Sequence, residues 1–307
     1  MRFEYTGVYN FKNALRGMRN AKNSWSRIDS VFCHGFEYNP NLESDKKFIE
    51  YNNAEDYIYI GPNDLDLTKS LIKAGPAHRK FMRQIFVSVD ITAPLYFFKE
   101  LSTYKVSTTA NSTSTMHKLT SKPIYMHDFE MDDYTYLEEM NPDGNRPIPT
   151  ILNNFIAFLE ILRVKYLQTK DKKYWKELIR MLPESYLQKR TWTCTYETLL
   201  SICAKDSRRN HKLNEWSGKD NPNLPNFIAW ARRLPYAHEF LFPDETDEEF
   251  NEALKINPFD PVYNNIWDAW LIKTQDGDIT YNEQLERESK RVIINNEKVV
   301  LNFEDKL

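Results

Sequence analysis

The stretch that most constrains this chain runs from residue 85 to residue 118, IFVSVDITAPLYFFKELSTYKVSTTANSTSTMHK. It opens by setting Ile85, Val87, Val89 and Ile91 against Phe86, Ser88 and Asp90. That alternation is the signature of a strand with one face in a core. Thr92 is then placed to cap a helix whose early Pro94 forfeits nothing, because the first turn of a helix has no intrahelical N–H bonds to lose. Leu95, Phe98 and Ser102 fall on one face of that helix. From 107 to 115 every residue is Ser, Thr, Ala or Asn. Such a run suits a loop that wraps a polar ligand with short donors and acceptors; composition alone favours a plain hydroxyl-rich surface loop.

The other constraints are broader. At 307 residues the chain is long enough to bury a substantial core in one large domain, or in one domain with an appendage. A hydrophobic content of 41%, with 14% aromatics, excludes wholesale disorder. The net charge of -3 gives no general drive toward nucleic acid or an anionic membrane, so any phosphate site has to be local. Cys33, Cys194 and Cys203 lack C-x-x-C spacing and cannot build a disulfide framework. Buried free thiols in a reducing cytosol are the expectation. The 6 histidines are scattered, and no metal site is expected. The N-terminus has no apolar leader, and no stretch approaches the roughly 20 apolar residues of a membrane span. A soluble, cytoplasmic protein is therefore expected. Richness in Asn, Lys and Tyr with few Gly suggests an AT-rich genome, such as that of a low-GC bacterium or its phage.

In chain order, 11–19 (FKNALRGMR) reads as a short amphipathic helix with Arg16 and Arg19 on one face. That face is either solvated or able to reach an acidic ligand across an interface. Residues 57–60 make a strand, ended by Gly61-Pro62. Asp64 or Asp66 is positioned to cap a helix reaching Ala74, which Gly75-Pro76 stops. A basic helical segment follows over 77–84. Residues 119–150 are acidic and loop-like. The strongest helix is 151–168, with Leu152, Phe155, Ile156, Leu159, Leu162 and Tyr166 at helical spacing. A second helix covers 173–182, then a strand 190–196 leads into a helix over 197–204. Spacing makes 208–216 helical, with Asn210, His211 and Asn214 near one face; 227–234 is the last core helix. The domain reading is an N-terminal segment (1–69) packed on a core domain (70–241), followed by a C-terminal appendage (242–307). The core is α+β, an antiparallel sheet covered by helices, which the strands at Ile85 and Arg190 both join.

No Walker loop, no G-x-G-x-x-G and no G-x-S-x-G elbow is present, which argues against common nucleotide kinases, Rossmann dehydrogenases and serine hydrolases. Another pattern is. Glu100-Leu101, then Thr103-Tyr104-Lys105, then Asn111-Ser112 and Ser114 resembles the signature of the flavin-dependent thymidylate synthase (ThyX) family. The family reads Glu/Gln-Leu-x-Arg-His-Arg, a short spacer, and Ser-x-Asn-Glu-x-Ser. A second block, LPESYLQKRTWTCTYETLL from Leu182 and then His211-Lys212-Leu213-Asn214-Glu215, is similar to the family's Leu-Pro, its Thr-x-Asn-x-Arg-x-Leu segment and its His-Ala-Gln-x-Glu-Ile-Arg. The resemblance covers roughly residues 70 to 240 in order and spacing, while the diagnostic residues are largely replaced.

The resemblance implies a ThyX-like fold and the reductive methylation of dUMP or a related pyrimidine nucleotide. FAD would be the cofactor, with NADPH and methylenetetrahydrofolate as co-substrates, in a homotetramer with shared sites and no membrane or nucleic-acid partner. Residue by residue, it places the cofactor on Tyr104, Lys105, Asn111 and His211. It places the substrate on Glu100, Ser112, Ser114 and Arg190, and assigns no catalytic residue. The departures are specific. Thr103, Tyr104 and Lys105 stand for Arg-His-Arg, and Lys105 keeps a cation without the bidentate fork. Ser112 stands where the family has Glu, Ser217 where it has its final Arg, and Arg83 nearest its upstream His. Glu197 replaces the arginine for the substrate phosphate, a reversal of sign that repels that ligand. Lys189, Arg190, Arg208 and Arg209 are the nearby cations able to substitute. Two readings follow, a divergent enzyme of this class and a catalytically silent homologue that binds nucleotide or acts as a structural oligomer.

Overall fold

The computed structural model of the chain describes residues 1–34, 49–51, 56–130 and 148–256. Residues 131–147 of the acidic loop expected over 119–150, and residues 257–307 of the appendage expected over 242–307, lie outside the described residues. In chain order the elements are β1 (Arg2–Tyr9), α1 (Phe11–Met18), β2 (Val31–His34), β3 (Ile49–Tyr51), β4 (Asp56–Tyr59) and α2 (Pro62–Lys73). Then come β5 (Phe86–Pro94), α3 (Leu95–Leu101), β6 (Thr109–Ser112), α4 (Thr115–Lys118), α5 (Ile148–Thr169) and α6 (Lys172–Met181). The last are β7 (Leu187–Thr195), α7 (Tyr196–Ile202), α8 (Asn214–Ser217), α9 (Phe227–Ala231), α10 (Ala237–Leu241) and α11 (Asp247–Ile256). The fold class is α+β, as the sequence implies. The described chain divides into two compact units. One holds Met1–Thr92, Glu100–Asn111 and the chain from Arg190 onward; the other holds Ala93–Lys99 and Ser112–Lys189.

In the first unit the main sheet has the order β1-β5-β7-β6, beside a small sheet β2-β4-β3. β1 and β5 are antiparallel, with Arg2 opposite Thr92 and Tyr9 opposite Phe86. β7 runs antiparallel to β5, since Thr191 Oγ1 donates to Asp90 (2.6 Å) while Thr193 Oγ1 meets Ser88 Oγ. The alternation read from the sequence is what buries Val87, Val89 and Ile91 completely and leaves Phe86 exposed. α9 covers the sheet with aromatic rings: Trp230 stacks on Phe3 of β1 (5.2 Å), and Phe227 meets Trp192 of β7 (5.9 Å) edge-on. Elsewhere Phe11, Tyr196 and Phe240 form a mutual edge-to-face cluster.

Several local expectations change. The strand β5 runs on through Pro94, so Thr92 is a ladder residue and no helix cap. Within the second unit, the first donors of α3 are satisfied instead by the chain at 184–186: Leu95 N–H donates to Tyr186 O and Tyr96 N–H to Glu184 O. The hydroxyl run at 107–115 is not all loop, because Thr109–Ser112 forms β6 at the sheet's edge, where threonine is a favoured strand residue. Only Lys80–Gln84 of the basic segment 77–84 is helical, and as a tight 3₁₀ turn, because His78 and Arg79 donate their N–H groups back to Gly75. α2 starts at Pro62, earlier than a cap at Asp64 or Asp66 allows. Its free N–H groups at Asn63 and Asp64 are taken by the Asp29 carboxylate (2.8 and 3.1 Å). That approach needs glycine at 61, where a Cβ would stand 2.2 Å from Asp29 Cγ. Asp64 is free to pair inward with Arg19, which is buried and not on a solvated face.

The second unit is built on α5. Ile156, Leu159 and Leu162 pack with Leu178 of α6 and with Leu119, Ile124 and Phe129. The Glu160–Arg163 pair is buried on the same helix; it ties down the segment before it, accepting Ile124 N–H on Glu160 Oε2 and giving Arg163 Nη1 to Thr120 O. Among the described residues no helix is long and apolar enough to cross a membrane, and no group of His, Cys, Asp and Glu is arranged to hold a metal.

Candidate functional site

α3 ends in a turn that delivers two polar side chains. Thr103 and Tyr104 donate their backbone N–H groups to Glu100 O and Leu101 O, while Thr103 Oγ1 and Thr108 Oγ1 close onto Glu100 O and Tyr104 O. Ser107 bends the chain with a left-handed φ of 56°. Glu100 and Tyr104 are thereby fixed beside a second segment of the same unit, residues 207–217.

That segment is not the continuous helix the spacing suggests. Arg208–Asn210 makes one 3₁₀ turn, His211 is extended (φ -69°, ψ 152°), and α8 starts afresh at Asn214. The reason is that side chains bond backbone groups a helix would pair, the Leu213 N–H and the His211 carbonyl, and tie Asn214 to the turn beyond. Leu213 N–H donates to His211 Nδ1 (3.1 Å), Ser217 Oγ donates to His211 O, and Asn214 exchanges two bonds with Asn221. Gly218, in the left-handed region at φ 67°, ends α8. Asn210, His211 and Asn214 consequently do not share a helical face.

Four groups meet here. Glu100 Oε2 lies 2.6 Å from Arg208 Nη1 and 3.2 Å from His211 Nε2. Since His211 Nδ1 accepts from Leu213, the neutral ring carries its proton on Nε2 and donates it to Glu100. Arg208 Nε donates to Tyr104 Oη (3.0 Å), which frees the Tyr104 hydroxyl hydrogen for Ser207 Oγ at 3.2 Å. The guanidinium also lies over the rings of Trp216 (5.0 Å) and Tyr104 (5.6 Å). Trp216 itself is fully buried and rests on Phe227 (5.1 Å), so the cluster is seated on the aromatic layer beneath the sheet.

Burial lowers the His211 pKa below its ordinary 6.5; Glu100 opposes the shift, while Arg208 and Lys212 add to it. A group whose folded pKa is depressed holds fewer protons folded than unfolded. Its contribution to stability is therefore present above about 6.5 and lost as the pH falls through the folded value. An NMR titration of the imidazole is expected to give a midpoint below 6.5, and Glu100→Gln is expected to lower it further by removing the one group that raises it. An unchanged or higher midpoint in that variant contradicts the arrangement.

The other residues singled out in the sequence lie as follows. Lys105 and Asn111 are exposed, close in sequence to Tyr104 and on β6 respectively. Ser112 and Ser114 belong to the second unit, where Ser114 Oγ caps α4 by accepting His117 N–H. Arg190 is half-buried on β7, and burial lowers its pKa. Glu197 is held by Arg79, whose Nε reaches both carboxylate oxygens (3.0 and 3.2 Å). Of the substitute cations, Arg208 enters the cluster, while Arg209 is bound to Asp244 and Glu245. Ser207 and Trp216 went unremarked in the sequence, and nothing local marks them.

No family model matches the chain, and no curated protein does. Among solved structures, it is similar to the flavin-dependent thymidylate synthase ThyX of Helicobacter pylori, crystallised with FAD and dUMP, at a TM-score of 0.49 and 16% identity over 80% of this chain and 99% of that one. A second structure of Helicobacter pylori ThyX with FAD and dUMP gives a TM-score of 0.44 and 14% identity over 81% of this chain and 98% of that one. At these identities and TM-scores neither likeness bears on what this chain binds.

Proposed function

We propose that this chain is a divergent flavin-dependent thymidylate synthase-like enzyme that holds FAD and a pyrimidine nucleotide, dUMP or a relative. Its reaction would be reductive methylation with methylenetetrahydrofolate and NADPH, in a homotetramer. The observation that supports this reading is the meeting of the two resembling blocks. Glu100 from one meets His211 from the other, and Arg208, just ahead of that histidine, bonds both Glu100 and Tyr104, although 108 residues separate Glu100 from Arg208. Residues from two distant blocks that the resemblance assigns to the cofactor (Tyr104, His211) and to the substrate (Glu100) have a reason to converge.

The donor chemistry fits a phosphate-bearing ligand. A guanidinium, an imidazole N–H and two hydroxyls lie together at Arg208, His211, Tyr104 and Ser207, with the exposed Lys105 next to Tyr104 in the chain. FAD, when bound, supplies the reducing equivalents for the methylation. The chain's own part is positioning: Tyr104, Lys105, Asn111 and His211 bind and orient the cofactor, and Glu100 and Arg190 face the nucleotide. Ser112 and Ser114, which the resemblance also assigns to the substrate, belong to the second unit. A silent homologue is the second reading, favoured by the Glu197 carboxylate, which Arg79 neutralises where a phosphate-binding arginine is expected.

Calorimetric titration of FAD and of dUMP tests the assignment. Loss of one charge-assisted hydrogen bond weakens binding about ten- to a hundredfold, the effect expected of Lys105→Ala. Ser114→Ala is expected to cost less and Cys33→Ala nothing. Wild-type protein that binds neither dUMP nor FAD at about millimolar concentration, some 4 kcal/mol of affinity, leaves only the silent reading. Equal binding by Lys105→Ala moves the site elsewhere.

A further inference from the structure

The two donors of the cluster converge on a single oxygen. Arg208 Nη1 and His211 Nε2 both point at Glu100 Oε2, at 2.6 and 3.2 Å. We propose that Arg208 and His211 form an oxyanion seat, filled by the protein's own Glu100 carboxylate, and that a ligand's phosphate or carboxylate oxygen binds by displacing it. The choice of a nucleotide phosphate as that ligand rests on the function proposed above; the seat and its resident anion do not.

The donors are held without help from Glu100. Arg208 is fixed through Nε by the Tyr104 hydroxyl, and its plane is held over the buried Trp216 indole. His211 is fixed through Nδ1 by Leu213 N–H and through its carbonyl by the Ser217 hydroxyl. Both donors thus stay aimed at the same point when the carboxylate leaves, which is the preorganisation an anion receptor needs. Glu100 is held differently. Its side chain is 32% exposed against 19% for Arg208 and 20% for His211, and it hangs from the last turn of α3. Swinging its carboxylate into solvent breaks only the two bonds to the seat and costs little desolvation.

The consequence is competition between like charges. An incoming oxyanion and the Glu100 carboxylate cannot share the point where Nη1 and Nε2 meet, so the resident charge sets a threshold on anion affinity. A neutral ligand is indifferent to it. Glu100→Gln keeps the length and one accepting oxygen and removes the charge, so it lowers that threshold with little change of shape.

The experiment is calorimetric titration of inorganic phosphate and of dUMP into full-length wild type, Glu100→Gln and Glu100→Gln/Arg208→Ala, with thermal unfolding confirming that each is folded. Removing a partly screened charge from a contact point is expected to tighten binding of both anions about tenfold or more. The double variant is expected to lose that gain. Glu100→Asp, which draws the carboxylate back by one methylene, is expected to give a smaller gain and serves if the glutamine variant does not fold. If wild type and Glu100→Gln bind dUMP equally, or the variant binds more weakly, the displacement idea is overturned and the function proposed above stands. If no variant binds phosphate or dUMP, both are overturned. Uridine without phosphate is expected to show no gain, and an equal gain for it contradicts the seat.

Discussion

Replacing Glu245 by glutamine is expected to destabilise the protein by about 3 kcal/mol or more, the usual cost of breaking a buried ion pair from one side. Glu245 is the shared anion of two nearly buried guanidinium groups. Arg232 grips both its oxygens as a fork, and Arg209 Nη1 adds a bond to Oε1 at 2.9 Å. The side chains are 9%, 12% and 11% exposed for Arg232, Arg209 and Glu245, so solvent screens them little. Arg232 also lies against the Phe242 (4.1 Å) and Phe250 (5.3 Å) rings, which restrains its plane. A glutamine offers one accepting oxygen and turns an NH₂ donor toward N–H donors, so Arg232 loses its counter-ion while Arg209 keeps only Asp244. The same residue's carbonyl meets His238 Nε2, and His238 stacks on Phe250 at 4.7 Å, so the damage reaches α11. Chemical denaturation measures the loss, and an unchanged slope assigns it to the folded state. Glu252→Gln is the control: its pair with Lys255 is exposed, and removing it is expected to cost about 1 kcal/mol or less. Equal effects at the two positions contradict the role given to burial.

Asp64→Asn is expected to cost a similar amount, about 3 kcal/mol, elsewhere in the first unit. Asp64 is completely buried and accepts from Arg19 Nε (2.6 Å), Ser30 Oγ (2.6 Å), Ser30 N–H (3.1 Å) and Asp29 N–H (3.3 Å). An asparagine can satisfy part of this set, and its NH₂ then faces donors. Arg19, 4% exposed, is left without a counter-ion, and its Nη2 already has no partner among the described residues. The loss is therefore mostly the penalty of an uncompensated charge. It should be partly recovered in Arg19→Met/Asp64→Asn, where no charge remains buried. Thermal unfolding of wild type and the two variants decides it. A double variant less stable than Asp64→Asn alone shows that Arg19 matters for packing and not through its charge.

These two anchors illustrate what a sequence conceals. The strand at 86–94 and the helix at 148–169 are legible because a single periodicity governs each and the buried residues follow it. β1 escaped notice because its register shifts between Glu4 and Gly7, so Gly7 and Val8, adjacent in sequence, are both buried and the alternation breaks. The helix expected at 208–216 fails because the His211 ring and the Asn214 amide satisfy backbone groups, a competition that propensity does not register. Ion pairs are harder still. Arg79 with Glu197 and Arg19 with Asp64 join residues that no local pattern relates. The adjacent arginines 208 and 209 look alike in the sequence, yet one enters the candidate site and the other locks onto Asp244 and Glu245. Spacing borrowed from a family resemblance singled out Glu100, Tyr104 and His211 but not the hydroxyl and indole, Ser207 and Trp216, that hold Arg208 in place with them.

Flavin binding is the most direct measure of the proposed function. Purified protein is incubated with excess FAD, freed of unbound flavin by gel filtration, and its visible spectrum compared with the protein concentration. The expected result is a yellow protein carrying flavin in a fixed ratio to the chain, with binding weakened about tenfold or more by Lys105→Ala, the loss of a charge-assisted contact. A colourless protein, with FAD fluorescence unchanged on adding it even at about millimolar flavin, where a Kd corresponds to some 4 kcal/mol, contradicts the flavin enzyme reading outright.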